Sequence, residues 1–267
     1  MSDELDPLPD PVSYHELDRI GLLGCRFVSY RTDFHRRVAS MPPRIATWVF
    51  LTFVALYKCV VSFLRRVAPG RWTDADPYKY IYVDPSDIEH ATERNFSKRR
   101  GWVVDGPWDK KRISYMNRPN PRAIEQRFVQ GCEWEDTVLA KKYDREEFIE
   151  RSDAIERLYR QIRDEGYKSQ CELLSESPEA AWNDLNDAMH PLANEIAVDI
   201  GRNGELLWNI CGQHRLAIAK VLDIDRIPVQ VFRRHAKWQG LRNAAREGKD
   251  LPESVRDHPD LQDVLDD

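Results

Sequence analysis

With 267 residues, 42% of them hydrophobic and 10% aromatic, the chain carries enough apolar material for a substantial core, which excludes a disordered polypeptide. Forty Lys plus Arg against 45 Asp plus Glu leave a net charge of -5, which argues against wholesale polyanion binding and leaves room only for local basic patches. Five scattered Cys with no CxxC pair suggest neither a disulfide framework nor a zinc site, and point to a reducing, cytoplasmic compartment.

Residues 1–43 are polar and broken by Pro7, Pro9, Pro11, Pro42 and Pro43, and read as a tail; their acidic start is unlike a signal peptide. An apolar helix follows at 44–67. Its centre, "IATWVFLTFVALYKCVVSFL" (45–64), is long enough to cross a bilayer. On a helical wheel, however, Arg44, Thr47, Thr52, Lys58, Ser62 and Arg65 fall within one arc of about 140°, which Trp48, Leu51, Ala55 and Cys59 share, so the helix is amphipathic with partial sorting. Three placements stay open: docking on the protein's own core or on a partner, lying in a membrane surface, or spanning. The stretch 45–66 is thus the expected attachment to a membrane surface or protein partner, and a cytoplasmic protein with membrane association is the expected location. Residues 68–76, rich in Pro, Gly and Asp, read as a linker.

A compact domain is expected over 77–248. "YKYIYVDP" (78–85) alternates like a strand, and Ser86 is placed to cap a short helix in "SDIEHATE". "SKRRGWVVDGPWDKKRISYM" (97–116) packs Trp102, Trp108 and six basic residues into twenty positions. It reads either as a hairpin or loop covering the core edge, or as a ligand lip carrying Asp105 and Asp109. A helical insertion is expected at about 117–165, with helices over 121–131, 134–143 and 145–166. The charges of the last read as a solvated face. Residues 167–177 are ambiguous between strand and helix, and 178–190 read as a short helix or loop.

The final third has clearer periodicity. "NEIAVDIG" (194–201), the Asn-Gly turn in 202–204 and "ELLWNI" (205–210) predict a hairpin. "LAIAKVL" (216–222) has helical spacing. "RIPVQVFRR" (226–234) predicts a strand whose Pro228 marks an edge or a start, 235–248 a closing helix, and 249–267 an acidic tail.

The segment Gly212-Gln213-His214-Arg215 stands between strand and helix. A glycine there permits close backbone approach, the free amides of the first helical turn favour an anion, and Arg215 offers a fork matched to phosphate oxygens. His214 can donate to a phosphate or move a proton. The plain alternative is a chain turn in which His214 and Arg215 pair with nearby carboxylates.

The run "IAVDIGRNGELLWNICGQHRLAIAKVLDIDRIPVQV" (196–231) resembles the ParB/sulfiredoxin superfamily, whose core places G-x-[HR]-R at the mouth of a helix and "IPV" at the head of the next strand. Upstream, "YIYVDPSDI" (80–88) and "LYRQIRDEGYKSQ" (158–170) are similar to its opening strand and to a helix ending in glycine. The resemblance implies an α/β (α+β) fold, a small mixed sheet with flanking helices, preceded here by the amphipathic helix. It also implies a GQHR turn that cradles nucleotide phosphates. Gln213 stands where sulfiredoxins carry a cysteine, so their repair chemistry is not expected, and Cys211 reads as a small core residue. Between Arg234 and residue 267 the sequence predicts a single helix, so a helix-turn-helix module is not expected there.

Three functions are consistent with these residues. The first is a nucleotide-dependent phosphotransferase or nucleotide hydrolase. Gly212, Gln213, His214 and Arg215 would hold phosphates, with Mg²⁺ accompanying the nucleotide, and Glu195, Asp105 or Asp109 would be the catalytic acid. Lys168, Gln170 and Trp108 form a second rank of pocket candidates, and no metal-ligating set stands out. The second is a DNA-binding or nuclease-like protein using basic residues at 98–112 and 233–246 with Trp102, Trp108 and Trp238 as stacking platforms. The third is a non-catalytic, nucleotide-gated scaffold attached through 45–66.

Overall fold

The computed structural model describes residues 42–92, 100–177, 181 and 190–265. The polar tail expected over 1–43 therefore lies outside the described residues up to residue 41, as does nearly all of 178–190.

The described chain is a mixed α/β unit built on one seven-stranded sheet with helices packed around it. Helix α1 (Pro43–Val67) is followed by β1 (Tyr80–Val83), β2 (His90–Thr92), β3 (Trp102–Val104) and β4 (Arg112–Ser114). Helices α2 (Pro119–Phe128), α3 (Arg145–Glu165) and α4 (Gln170–Glu176) come next. The remainder is β5 (Ile196–Ile200), β6 (Leu206–Trp208), α5 (Gln213–Val221), β7 (Ile227–His235), α6 (Ala236–Arg246), α7 (Glu253–Arg256) and α8 (Gln262–Leu265). The sheet order is β1-β7-β5-β6-β2-β4, with β3 also on β7.

The long strand β7 organises the sheet, and all nine of its residues are buried. Its first half pairs antiparallel with β1 and its last three residues pair parallel with β3, while β5 runs parallel along its other edge. Pro228 sits one residue into the strand, opposite Tyr82, so the missing donor is tolerated at the start of a central strand rather than at an edge. The expected hairpin forms as β5 and β6, with Val198 opposite Trp208 and Ile200 opposite Leu206. One large core runs from Ile81 and Ile88 through Ile124, Leu139, Ile155, Ile196, Val198, Leu216, Ile218 and Val229 to Trp238, and Ala197, Cys211 and Phe232 form a separate small cluster.

Several expectations are corrected. Residues 68–76 are no linker: Thr73, Asp74 and Ala75 are buried, and Trp72 bridges to Trp102. The 249–267 tail is folded through residue 265, because Leu251, Val255, Leu261 and Val264 join the main core and Asp260 is buried beneath α6. The 117–165 insertion is helical but integral, since Ala123, Ile124, Phe148 and Ile155 belong to that same core. Within it, 134–143 holds only a single 3-10 turn, Trp134–Asp136. Asp84, not Ser86, caps the turn after β1, and the chain then extends into β2 instead of a helix. Strands β3 and β4 do not pair with each other: one joins β7 and the other β2.

Candidate functional site

The β5–β6 hairpin delivers the chain to a cramped corner. The amide of Cys211 donates to the Asn209 carbonyl at 2.6 Å, a three-residue turn that forces β-branched Ile210 to φ 48°. Such a conformation costs about 1–3 kcal/mol and persists only where its surroundings over-determine it. Two residues on, Gly212 adopts φ 70°, and a Cβ there would lie 2.7 Å from the Ile196 Cα. Only glycine fits this approach. Helix α5 starts immediately, with no side chain capping it. The amides of Gln213, His214 and Arg215 make no hydrogen bond among the described residues, the first partner in the helix being Leu216 N–H to Gly212 O at 3.0 Å.

These residues line a cavity of about 780 Å³. Its walls are Ile210 and the α5 entrance, Asn120 at the start of α2, one side of α3, Gln170 at the start of α4, and Asn194 just before β5. That volume suits a nucleotide-sized molecule.

Each member of the GQHR segment is held differently. The Gln213 carbonyl accepts from Tyr115 Oη at 2.5 Å, and its side-chain oxygen accepts from Asn120 Nδ2 at 3.0 Å. The same amide nitrogen is 3.2 Å from His214 Nε2, and Lys142 Nζ donates to Asn120 Oδ1 at 3.2 Å. The lysine thereby orients the amide so that Nδ2 donates, which makes His214 Nε2 an acceptor and places the ring proton on Nδ1. Burial, with repulsion from Arg151 and Lys142, lowers the His214 pKa to about 4. At neutral pH it is an uncharged imidazole in the cavity wall.

Arg215 corrects the sequence reading. Its Nη1 donates to Glu195 Oε1 at 2.8 Å, Nη2 donates to the Lys168 carbonyl, and the guanidinium stacks on Tyr167 at 4.5 Å. The expected phosphate fork is a buried internal ion pair. Glu195 is fully buried and also accepts from Gln170 N at 2.8 Å and Tyr167 Oη at 3.3 Å. Burial lifts its pKa against the pull of Arg215. It secures the floor of the site and is not exposed as a catalytic acid.

The other candidates lie elsewhere. Asp109 is bound by Arg202, from Nε at 2.7 Å and from the amide at 3.0 Å, which hold it below its ordinary pKa despite burial. Asp105 is 72% exposed beside His235. Trp108 is buried, donating to the Val104 carbonyl and stacking under Arg233. None of the three lines the cavity. Lys168 turns outward to Glu165 and Glu176. Gln170 does line it: 3% exposed, its side chain makes no hydrogen bond among the described residues, and its Oε1 is fully enclosed without a partner.

Sequence reasoning missed α3. Glu147, Glu150, Arg151, Ala154, Arg157 and Leu158 recur at helical spacing and face the cavity, and Asp153 joins them. Glu147 and Arg151 pair with each other at 2.8 Å, while Glu150, Asp153 and Arg157 have no ion-pair partner among the described residues. The recurrence of polar residues every three to four positions was the available signal, indistinguishable in sequence from a solvated face. No group of three or more His, Cys, Asp or Glu side chains suited to a metal ion occurs among the described residues. The residues present thus do not form a resident Mg²⁺ site.

The basic stretches also change meaning. Arg233 is bound to Asp199, Arg234 to Asp260 at 2.8 Å, and Arg242 to Asp74 at 3.0 Å and Asp263 at 2.9 Å. Trp238 is buried and donates to Asp260 at 2.9 Å. An electrostatic footprint for nucleic acid at 233–246 loses its principal residues to the interior. No family model, curated protein or solved structure matches the chain, so the site stands on its own geometry.

Proposed function

We propose that the cavity binds a small ligand with an anionic head, a phosphate or carboxylate, and a body rich in hydroxyl or amino donors, as a nucleotide has. The observation that carries this reading is the set of free amides at the mouth of α5, above left-handed Gly212, facing a cavity whose Gln170 side chain lacks a partner. Backbone donors and the helix dipole favour the negative head. Glu150 and Asp153 favour donors on the body, because unpaired carboxylates repel a second anion. The resemblance of 196–231 to ParB/sulfiredoxin domains supports the same reading, with Gly212 to His214 as the phosphate-facing residues and Arg215 as their buttress.

Thermal unfolding of the full chain with a panel of nucleoside mono-, di- and triphosphates, with inorganic phosphate and with simple carboxylates, each with and without Mg²⁺, tests it. A ligand at 100 times its Kd adds about 2.7 kcal/mol of stability. A shift present in the wild type and lost in His214→Ala supports the site; no shift with any anion overturns it.

Turnover is a second reading, favoured by Glu150 and Asp153, the unpartnered carboxylates in the cavity wall. Nucleotide hydrolysis that disappears in Asp153→Asn while binding persists would support it. Binding without any turnover leaves a ligand-gated scaffold.

A further inference from the structure

Helix α1 is tied to the rest of the fold by four of its polar side chains. Thr47 Oγ1 meets His190 Nε2 at 3.0 Å, Tyr57 Oη donates to the Arg100 carbonyl at 2.7 Å, Lys58 Nζ donates to Asp76 at 2.6 Å, and Arg65 donates to the Asp74 carbonyl at 3.1 Å. Ala46, Phe50 and Val61 are buried on the same side. The outward side is open and mostly apolar: Trp48 is 71%, Leu56 64% and Phe63 63% exposed, with Ile45 beside them and exposed Thr52 and Ser62 among them. From Ile45 to Val67 this exposed side runs for about 33 Å.

Charge says what covers it. No Asp or Glu occurs within α1, and Arg44 at one end with Arg65 and Arg66 at the other are its flanking charges. A second copy laid on this face, in either direction, would bring arginine against arginine with no carboxylate on either helix. An anionic lipid surface accepts both the cations and the apolar stripe. Spanning is opposed by the docking contacts, which run from Thr47 to Arg65; a helix seated there would drag Asp74, Asp76 and Arg100 into hydrocarbon. We propose that α1 lies in the plane of an anionic bilayer surface, its Trp48–Leu56–Phe63 stripe sunk to the acyl boundary and the α/β unit held flat against the headgroups.

The test is flotation of the full chain with vesicles of phosphatidylcholine, with and without phosphatidylserine, followed by alkaline carbonate extraction. The expected result is binding that requires phosphatidylserine, weakens as salt rises and is released by carbonate. Leu56→Glu with Phe63→Glu should lower vesicle affinity roughly a hundredfold, since each side chain is worth about 1.5 kcal/mol or more when buried in an apolar phase. Both positions are exposed, so the fold is kept, which near-UV circular dichroism checks. Arg66→Gln should weaken binding about fivefold, from roughly 1 kcal/mol per basic residue at such a surface. Retention after carbonate would overturn the proposal in favour of spanning. Absence of flotation would overturn it too, and a lipid-free dimer dissociated by the same double substitution would then assign the stripe to a second copy.

Discussion

Two charged regions of this protein are arranged in opposite ways. Around α6, the side chains of Arg234, Arg242, Asp74 and Asp260 are buried and bonded to one another, and Trp238 and Gln239 add further bonds. Around the mouth of α5, three backbone amides and the Gln170 side chain are left without partners, and the backbone at Ile210 is strained. The first region is a structural clamp and the second a candidate site. Density of basic residues does not distinguish them, and neither does a single enclosed atom without a partner, since Arg234 Nη1 is one in the clamp; the row of open amides facing a cavity does.

The largest effect should come from breaking the clamp. Arg242→Ala removes the cation shared by Asp74 and Asp260, leaving them to Arg246 and Arg234, and should destabilise the fold by about 3 kcal/mol in urea denaturation. A loss below about 1 kcal/mol would mean that the network contributes little.

At the cavity, pH offers a second test. His214 has its pKa lowered to about 4 against an ordinary 6.5, so between those values the unfolded chain binds a proton that the folded chain does not. Stability should therefore be full above pH 6.5 and fall as pH drops toward 4. His214→Asn should flatten the pH dependence of unfolding by up to one proton in that window. Asp74 and Asp260 both have depressed values, Arg242 and Arg234 overcoming the effect of burial. Their contribution is present above the ordinary carboxylate range and is lost only as pH falls through the lowered values. His258, packed on Trp238 beside Asp260, is lowered by burial as well, so the clamp adds its own histidine to the window of His214.

A smaller and opposite effect is expected at Gln170. Gln170→Leu removes an enclosed, unpartnered oxygen and should raise the unfolding free energy by about 1 kcal/mol, while reducing the ligand-induced shift. Stabilisation with undiminished ligand binding would remove this residue from the site. Asp105→Asn, at an exposed loop outside the cavity, should change stability by less than about 0.5 kcal/mol and leave ligand affinity unaltered.

The hairpin and the α5 entrance were legible because alternation, Asn-Gly and a glycine before a small apolar helix are local signals. Strands β3 and β4, at three residues each, have no period to read, and the partner of β3 lies in β7. The clamp was illegible for a related reason: Asp74 and Arg242 are 168 residues apart, and each alone reads as surface charge. Arg215 was correctly suspected of pairing with a carboxylate, one of two readings its four-residue context allowed. The α3 wall stayed hidden because a polar helix face reads the same whether it meets water or a cavity. The polar arc of α1 is legible in the sequence, but not that Thr47, Lys58 and Arg65 from it would bond to His190, Asp76 and Asp74.

One small residue joins the two ends of this picture. His190 meets Thr47 of α1 through Nε2, stacks on Phe50 at 4.6 Å, and accepts the Leu192 amide at Nδ1. It thereby fixes the short turn that carries Asn194 and Glu195 to the cavity floor. Lifting α1 from its seat would strip this imidazole of Thr47 and Phe50, two of the contacts that hold the turn leading to Asn194 and Glu195.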